Sequence, residues 1–318
     1  MKYIYLVNRF HLGNKTDEVI HRLEEASEVL GRDYAVDVCE TVEEARAVSE
    51  KYKDTEYVIT AVGGDGTINY LVNALAGTGN ILSFVPYGTG NDFFHTCMET
   101  LDDGIHEVDI VRVNDRYYIN TICFGVDADI ANDERFIHNR LIPRQLRFHA
   151  AAFYHFLTHK KGRRLKIRLE GAATGDEGGM AEKTCGAAQH ESRTNKKSGR
   201  MIKKECVTVV AANGRYYGGG YQVSPDSRID DGLLEMYIVD QMDRFRMARL
   251  ILSIKNGGHL HHPALRRMQI KKAVISAPRP FRANIDGEPL LSDRFALEVI
   301  PRGIRLEYNR EFIDRFRS

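Results

Sequence analysis

Val62-Gly63-Gly64-Asp65-Gly66-Thr67-Ile68-Asn69 stands between an apolar run, Tyr57-Val58-Ile59-Thr60-Ala61, and a segment of helical spacing, Tyr70-Leu71-Val72-Asn73-Ala74-Leu75. The run predicts a buried strand and the segment a helix, which puts the glycines in a strand-to-helix turn. Gly63, Gly64 and Gly66 let the backbone bend sharply and come close to a ligand. The unbonded amides of the helix's first turn then face that ligand, and the helix dipole favours negative charge there. One carboxylate, Asp65, sits inside this phosphate-binding geometry. Beside phosphates it is repulsive without an intervening cation, which points to Mg²⁺. A plain glycine-rich turn capped by Asp65 or Thr67 is the alternative reading of the same residues. The segment carries neither the P-loop pattern nor the spaced G-x-G-x-x-G of dinucleotide folds.

The flanking chain repeats the same unit. Lys2–Val7 and Tyr34–Cys39 predict strands, and Asp17–Leu30 places Ile20, Leu23 and Leu30 on one helical stripe that Gly31 ends. Thr41 is positioned to cap a helix over Val42–Lys51, and Ile81–Pro86 is a fourth apolar strand after a turn at Gly77–Asn80. Repeated βα units with continuously apolar strands indicate a parallel sheet with helices on both faces. Such sheets bind ligands at the carboxyl ends of their strands. That singles out Asn8–Gly13, Cys39–Thr41, Gly63–Asn69 and Tyr87–Asp92. The last belongs to a second glycine-rich turn, Pro86-Tyr87-Gly88-Thr89-Gly90-Asn91-Asp92-Phe93-Phe94. Two such turns ending neighbouring strands would hold a polyphosphate from both sides.

From about residue 105 the pattern changes. Val108–Val113 and Tyr117–Ile122 predict a hairpin around Asn114-Asp115, and a helical region follows over roughly Glu134–Lys160. Strands are then predicted at Arg164–Leu169, Cys206–Ala212, Leu233–Val239, Met268–Ser276, Phe281–Ile285, Phe295–Ile300 and Ile304–Tyr308, with one helix at Arg244–Lys255. This is the pattern of an antiparallel, sandwich-like second domain, expected over residues 125–318 after an α/β domain over 1–124. Gly171–Lys203, poor in large apolar residues and without a period, reads as a flexible insertion. Its Cys185 and His190 lack the further ligands a metal site needs.

Composition narrows the function classes. With 318 residues, 43% hydrophobic and 28% charged, the chain fits a folded soluble protein of two domains. A net charge of +1 gives no argument for nucleic acid, and Arg163-Arg164, Lys203-Lys204, Arg266-Arg267 and Lys271-Lys272 read as solvated ends of strands and helices. Five cysteines without a C-x-x-C pair argue against a disulfide framework or zinc site and suit a reducing cytoplasm. The chain opens directly on strand-like Tyr3–Val7 without a signal-peptide pattern. No run approaches the ~18 apolar residues of a spanning helix. A cytoplasmic protein is expected, peripheral at most to the inner face of the membrane. His259, His261 and His262 crowd one loop without carboxylate or thiol company, which reads as solvated.

Two further segments bear on chemistry. Ile285-Asp286-Gly287-Glu288-Pro289 lies between strands, and is either a hairpin turn with a charged tip or the holder of a general base, Glu288, facing the glycine turns. Pro225-Asp226-Ser227-Arg228-Ile229-Asp230-Asp231-Gly232 resembles part of an oxygen-ligand cation loop, though not an EF-hand. Asn213–Gly220 just upstream is another glycine-rich segment.

Gly63-Gly64-Asp65-Gly66-Thr67, Pro86-x-Gly88-Thr89-Gly90-Asn91-Asp92-Phe93, the run Gly218-Gly219-Gly220…Pro225…Asp231-Gly232, and Asp286-Gly287-Glu288 occur in this order across nearly the whole chain. Together they resemble the diacylglycerol kinase catalytic-domain family, particularly its soluble bacterial lipid kinases. The resemblance implies an α/β domain with a parallel sheet of the phosphofructokinase and NAD kinase kind, a C-terminal antiparallel β-sandwich, and an active site in the cleft between them. It implies ATP held by Asn8, Thr41, Gly63, Gly64, Asp65, Gly66, Thr67, Asn69, Thr89, Asn91 and Asp92, with Asp65 near a catalytic Mg²⁺. It further implies Glu288 as proton acceptor, and a separate structural Mg²⁺ at Asp231 with the backbone carbonyls of Arg228 and Leu233. The family's first strand ends in an Asn-Pro-x-Ser/Ala-Gly turn; here Asn8-Arg9-Phe10-His11-Leu12-Gly13 keeps only the outer Asn and Gly.

The activity so implied is ATP- and Mg²⁺-dependent phosphorylation of a hydroxyl on diacylglycerol or a related lipid presented at a membrane surface. The basic pairs and Phe148, Phe153 and Tyr154 are candidates for that surface contact, and a homodimer is the commonest oligomer for such a chain. An NAD kinase-like phosphorylation of a soluble nucleotide is disfavoured by the Gly-Thr-Gly-Asn-Asp-Phe segment and the Asp-Gly-Glu turn. A catalytically silent lipid- or nucleotide-binding regulator is kept open by the altered Asn8–Gly13 turn and disfavoured by Asp65 with Glu288.

Overall fold

The computed structural model describes residues 1–318 apart from 54, 89, 138, 140, 141, 143–149, 152, 156, 157, 159–161, 171–199 and 255–257. The chain opens with β1 (Lys2–Asn8), β2 (Asp33–Cys39), β3 (Val58–Gly63) and β4 (Ile81–Pro86), all parallel, in the order β2-β1-β3-β4. Between them run α1 (Arg9–Leu12), α2 (Thr16–Val29), α3 (Val42–Tyr52) and α4 (Asp65–Leu75), and α5 (Asp92–Thr100) follows β4. Tyr5, Leu6, Val58, Ile59 and Leu82 are fully buried, as continuous apolar strands covered on both faces must be. Thr41 caps α3: its hydroxyl oxygen accepts the Glu44 N–H at 3.2 Å, and the Glu44 carboxylate accepts the Glu40 N–H at 2.7 Å.

The remainder is β-rich and antiparallel. It comprises β5 (Gly104–Val113), β6 (Arg116–Tyr118), β7 (Thr121–Gly125), α6 (Val126–Ala131), α7 (Glu134–Ile137), β8 (Arg163–Glu170), β9 (Met201–Ala212), β10 (Leu234–Asp240), α8 (Arg244–Ile254), β11 (Leu265–Ile270), β12 (Lys272–Ile285), β13 (Glu288–Tyr308) and α9 (Arg310–Arg317). Its interior is centred on Phe124, Phe281 and Phe295, whose ring centroids lie 5.0–5.9 Å apart. The two parts share hydrogen bonds through β13. That strand is antiparallel to β12 and β5, yet its far end pairs in parallel with β4, Arg305 opposite Ile81 and Leu306 opposite Leu82.

Several predicted elements are redrawn. Phe295–Ile300 and Ile304–Tyr308 are one strand interrupted by a bulge, where Arg302 takes φ +52° and Gly303 lies too close to the Ile110 side chain for a Cβ. Met268–Ser276 is not one strand: the chain changes partners at Lys271, leaving β10 on one side and taking β8 and β13 on the other. Tyr117–Ile122 is broken because the amides of Ile119, Asn120 and Thr121 turn to the Asp286 carboxylate instead of a neighbouring strand. The expected turn after β1 is a helical one, α1 followed by a 3-10 turn over Gly13–Lys15, with Gly13 at φ +55°. The insertion ends earlier than Lys203, since Met201–Lys203 already pair in β9; residues 171–199, with Cys185 and His190, lie outside the described residues. So do Phe148 and most of the predicted helix beyond Ile137. His259 is buried rather than solvated, its Nε2 2.8 Å from the Val223 carbonyl oxygen. No helix among the described residues is long and apolar enough to cross a membrane.

Candidate active site

The parallel strands end together. Asn8 closes β1 opposite Cys39, and Val7 lies opposite Val62, so the residues after β1, β2, β3 and β4 line one edge of the sheet. On that edge the two glycine turns touch. A Cβ on Gly88 would stand 2.6 Å from the Gly64 Cα, so a side chain there would part the turns, and one on Gly64 would press on the Gly88 Cα at 3.2 Å. The Tyr87 N–H adds a 2.8 Å bond to the Gly63 carbonyl. Within the first turn, a Cβ on Gly63 would meet the Thr67 Oγ1 at 2.4 Å. In the second, Asn91 adopts φ +53° and bonds Gly88 twice, accepting its N–H at 3.0 Å and donating to its carbonyl at 3.1 Å.

Three carboxylates, buried Asp92 and Asp286 and half-buried Asp65, fasten this edge to the rest of the molecule, each by accepting backbone amides. Asp65, first residue of α4, accepts the N–H groups of Asp92 and Phe93 at 3.0 and 2.9 Å and so caps α5 from outside. Asp92 accepts the N–H groups of Gly219 and Gly220 at 2.9 and 2.7 Å, tying α5 to the loop before β10. Asp286, at φ +46° between β12 and β13, accepts from Ile119, Asn120 and Thr121 and from the Asn69 side-chain amide at 3.0 Å. Burial pushes all three carboxyls up, with the backbone amides opposing it at each. Asp92 reaches about 6 with the Asp65 charge adding to the rise, and Asp286 also reaches about 6. None of the three forms an ion pair among the described residues.

Glu288, two residues past Asp286, is exposed, and its Oε1 lies 3.9 Å from where a Cβ on Gly66 would stand. The charged tip of the Asp-Gly-Glu turn therefore reaches the first glycine turn across 222 positions of sequence, from residue 66 to residue 288.

The other predicted site residues divide. Asn8 is buried, with its Oδ1 unpartnered among the described residues, and exposed Thr41 lies beyond the neighbouring strand end. Asn69 points elsewhere, bonding the Tyr117 carbonyl at 3.1 Å as well as Asp286. Thr89 lies outside the described residues. Asp231, Arg228 and Leu233 sit on a separate loop pinned by buried Asp109, which accepts the N–H groups of Gly232 and Arg302 at 2.6 and 2.8 Å. The Asp231 carboxylate accepts the Leu233 N–H at 2.9 Å, and burial followed by the charges of Asp109, Glu235 and Asp230 pushes its carboxyl up. Sequence reasoning missed Asp286 and Asp109 as anchors. Only the motif around Asp286 hinted at it, and as a turn.

No cluster of three or more His, Cys, Asp or Glu side chains among the described residues is placed to hold a metal ion. Asp65 and Asp92 still fit Mg²⁺, which takes one or two carboxylates and fills its other positions with water and phosphate oxygens. Two neighbouring acids, one buried and one half-buried, with no ion-pair partner among the described residues are the kind of donor set such an ion relieves.

Comparison with known proteins agrees with this geometry. Residues 2–116 match the "Diacylglycerol kinase catalytic domain" and residues 120–307 the "YegS C-terminal NAD kinase beta sandwich-like domain". A "Probable lipid kinase YegS-like" of Serratia proteamaculans is 29% identical over 280 residues, covering 86% of this chain and 84% of that protein. A "Diacylglycerol kinase" of Staphylococcus aureus is 25% identical over 78% of this chain and 72% of its own. A crystal structure of a diacylglycerol kinase from Bacillus anthracis superposes with a TM-score of 0.62 over 97% of both chains, at 18% identity. Two touching glycine turns, a β-rich half bonded to them through Asp92 and Asp286, and matches that run from residue 2 to residue 307 make this chain a member of the diacylglycerol kinase catalytic-domain family that carries a YegS C-terminal domain.

Proposed function

We propose that this protein is an ATP- and Mg²⁺-dependent lipid kinase that phosphorylates a hydroxyl of diacylglycerol or a related lipid at a membrane surface. The carrying observation is the approach of Glu288 to Gly66, because it sets a carboxylate at the turn whose shape suits the phosphate donor. Phosphoryl transfer depends chiefly on positioning and charge neutralisation. The Gly63–Thr67 turn and the first amides of α4 hold the phosphates, with Asn8 and Thr41 toward the nucleoside. Asp65 and Asp92 would hold Mg²⁺, which when bound would supply the positive charge that lets phosphates lie beside these acids. Glu288 orients the lipid hydroxyl and takes its proton. Asp231, with the Arg228 and Leu233 carbonyls, would hold the second, structural cation.

ATP consumption measured with and without lipid micelles tests the reading, and a lipid panel in the same assay ranks acceptors. Consumption should require lipid; turnover supported only by a soluble nucleotide acceptor would favour the NAD kinase-like alternative. Base assistance is worth about 10²–10⁴ in rate. Glu288→Gln should lower kcat by that order with Mg-ATP affinity unchanged, and full activity in this variant removes Glu288 as the base.

A further inference from the structure

We propose that His95 binds the transferring phosphate: its imidazole donates a hydrogen bond to the terminal phosphoryl group of bound ATP. The proposal rests on the kinase reading above and adds to it a residue from the second turn of α5.

His95 lies three residues past Asp92, its N–H bonded to the Asn91 carbonyl at 3.1 Å. The half-buried ring stands between two aromatic neighbours, Phe94 on its own helix and Tyr216 on the loop that leads to Gly219 and Gly220, each 5.7 Å away between centroids. It therefore lies where the wall of the α/β half meets the β-rich half. Neither ring nitrogen has a hydrogen-bond partner among the described residues, although Tyr216 beside it is bonded through its hydroxyl to Glu99. A half-buried imidazole held by ring packing alone keeps its donor available for a ligand.

The charge around it asks for such a donor. Asp65, Asp92, Asp286 and Glu288 bring four carboxylates to this edge, and a polyphosphate adds more negative charge. The nearby guanidinium groups are occupied: Arg215 pairs with Glu99 at 3.2 Å and bonds the Ser227 carbonyl at 3.0 Å, and Arg317 lies over the Phe94 ring at 4.7 Å. Asp65 holds the first amides of this helix, and a Cβ on Gly90 would stand 3.3 Å from the Asp65 Oδ2 and 3.7 Å from the Gly219 Cα, so α5, the second glycine turn and the loop that carries Tyr216 meet beside Asp65. A donor one turn into the helix whose first amides Asp65 holds is placed for the phosphate nearest the acceptor hydroxyl.

The test compares Mg-ATP with Mg-ADP by calorimetry, with thermal melts as the folding control. His95→Phe keeps the ring packing against Tyr216 and removes the donor; His95→Gln restores a donor without the ring; His95→Ala replaces the first variant should it melt early. Loss of a hydrogen bond to a charged group is worth about tenfold or more in affinity. His95→Phe should weaken Mg-ATP by that factor and leave Mg-ADP unchanged, and His95→Gln should recover most of the loss. Unchanged Mg-ATP affinity, equal loss of both nucleotides, or binding of neither by the wild type overturns the proposal. So does a raised KM for lipid with normal ATP affinity, since the imidazole would then face the acceptor. Selective loss of Mg-ATP without lipid turnover in any micelle keeps His95 and sinks the lipid kinase.

Discussion

Asp65, Asp92 and Asp286 show how an acid can shape a site by anchoring backbone from a distant segment. Each spends both carboxylate oxygens on backbone amides from another segment, and each is buried enough to hold its proton more tightly than an unfolded chain would. For Asp286 the carboxyl moves from 3.8 to about 6. A raised value means the folded state binds the proton more strongly, so its contribution grows as pH falls from about 6 toward 4 and vanishes above. Two units amount to roughly 3 kcal/mol at most. Melting temperatures between pH 4 and 8 should thus rise more on acidification in the wild type than in Asp286→Asn; parallel curves would refute the assignment. The glycine turns, the Thr41 cap and the Asp-Gly-Glu motif were legible in the sequence because their residue types are demanded locally. The anchoring of Asp92 by Gly219 and Gly220 was not, since a carboxylate's amide partners exist only after distant segments meet.

At the level of elements, the βα alternation fixed the parallel strands nearly to the residue, for helices and strands of this half are each apolar on the side they bury. The β-rich half was harder. Periodicity reports which face of a strand is buried and is silent on which strand lies beside it, so the corner at Lys271 and the break at Ile119–Asn120 were both read through. The contact of the two glycine turns is the element-level feature most open to test. Gly88→Ala places a methyl group against Gly64, an overpacking that costs about 1–3 kcal/mol. If the turns part, Mg-ATP affinity should drop by roughly tenfold or more. Wild-type affinity in Gly88→Ala would show that the turns move independently.

Across the whole molecule, β13 and α9 return the late part of the chain to its beginning. Phe312 stacks on Tyr5 with centroids 5.6 Å apart and planes 4° from parallel, and Arg32 lies between the Tyr3 and Phe312 rings at 4.1 and 4.0 Å. Arg32 is buried with Glu307, 3.7 Å away, while Tyr3 donates to that carboxylate at 2.8 Å. Deleting a buried aromatic ring typically costs about 3–5 kcal/mol. Phe312→Ala should lose stability of that order in urea unfolding, and should do so in the α/β half although the residue is encoded after the β-rich half. A loss below about 1 kcal/mol would mean α9 is a passive tail. Nothing in the sequence pointed to this return, because an expected domain border says where pairing thins out, not which segment crosses back.

The route of β13 has a consequence for how the protein is made. Residues 1–116 leave the ribosome long before Arg305 and Leu306 exist, so β4 waits with an open edge, and the pocket around Tyr5 waits for Phe312 and Phe316. An unpaired strand edge is a template for aggregation. Until translation reaches the last strand, the nascent half therefore carries an edge and an apolar pocket that only later residues cover. The same logic makes the glycine-turn half a poor candidate for expression by itself.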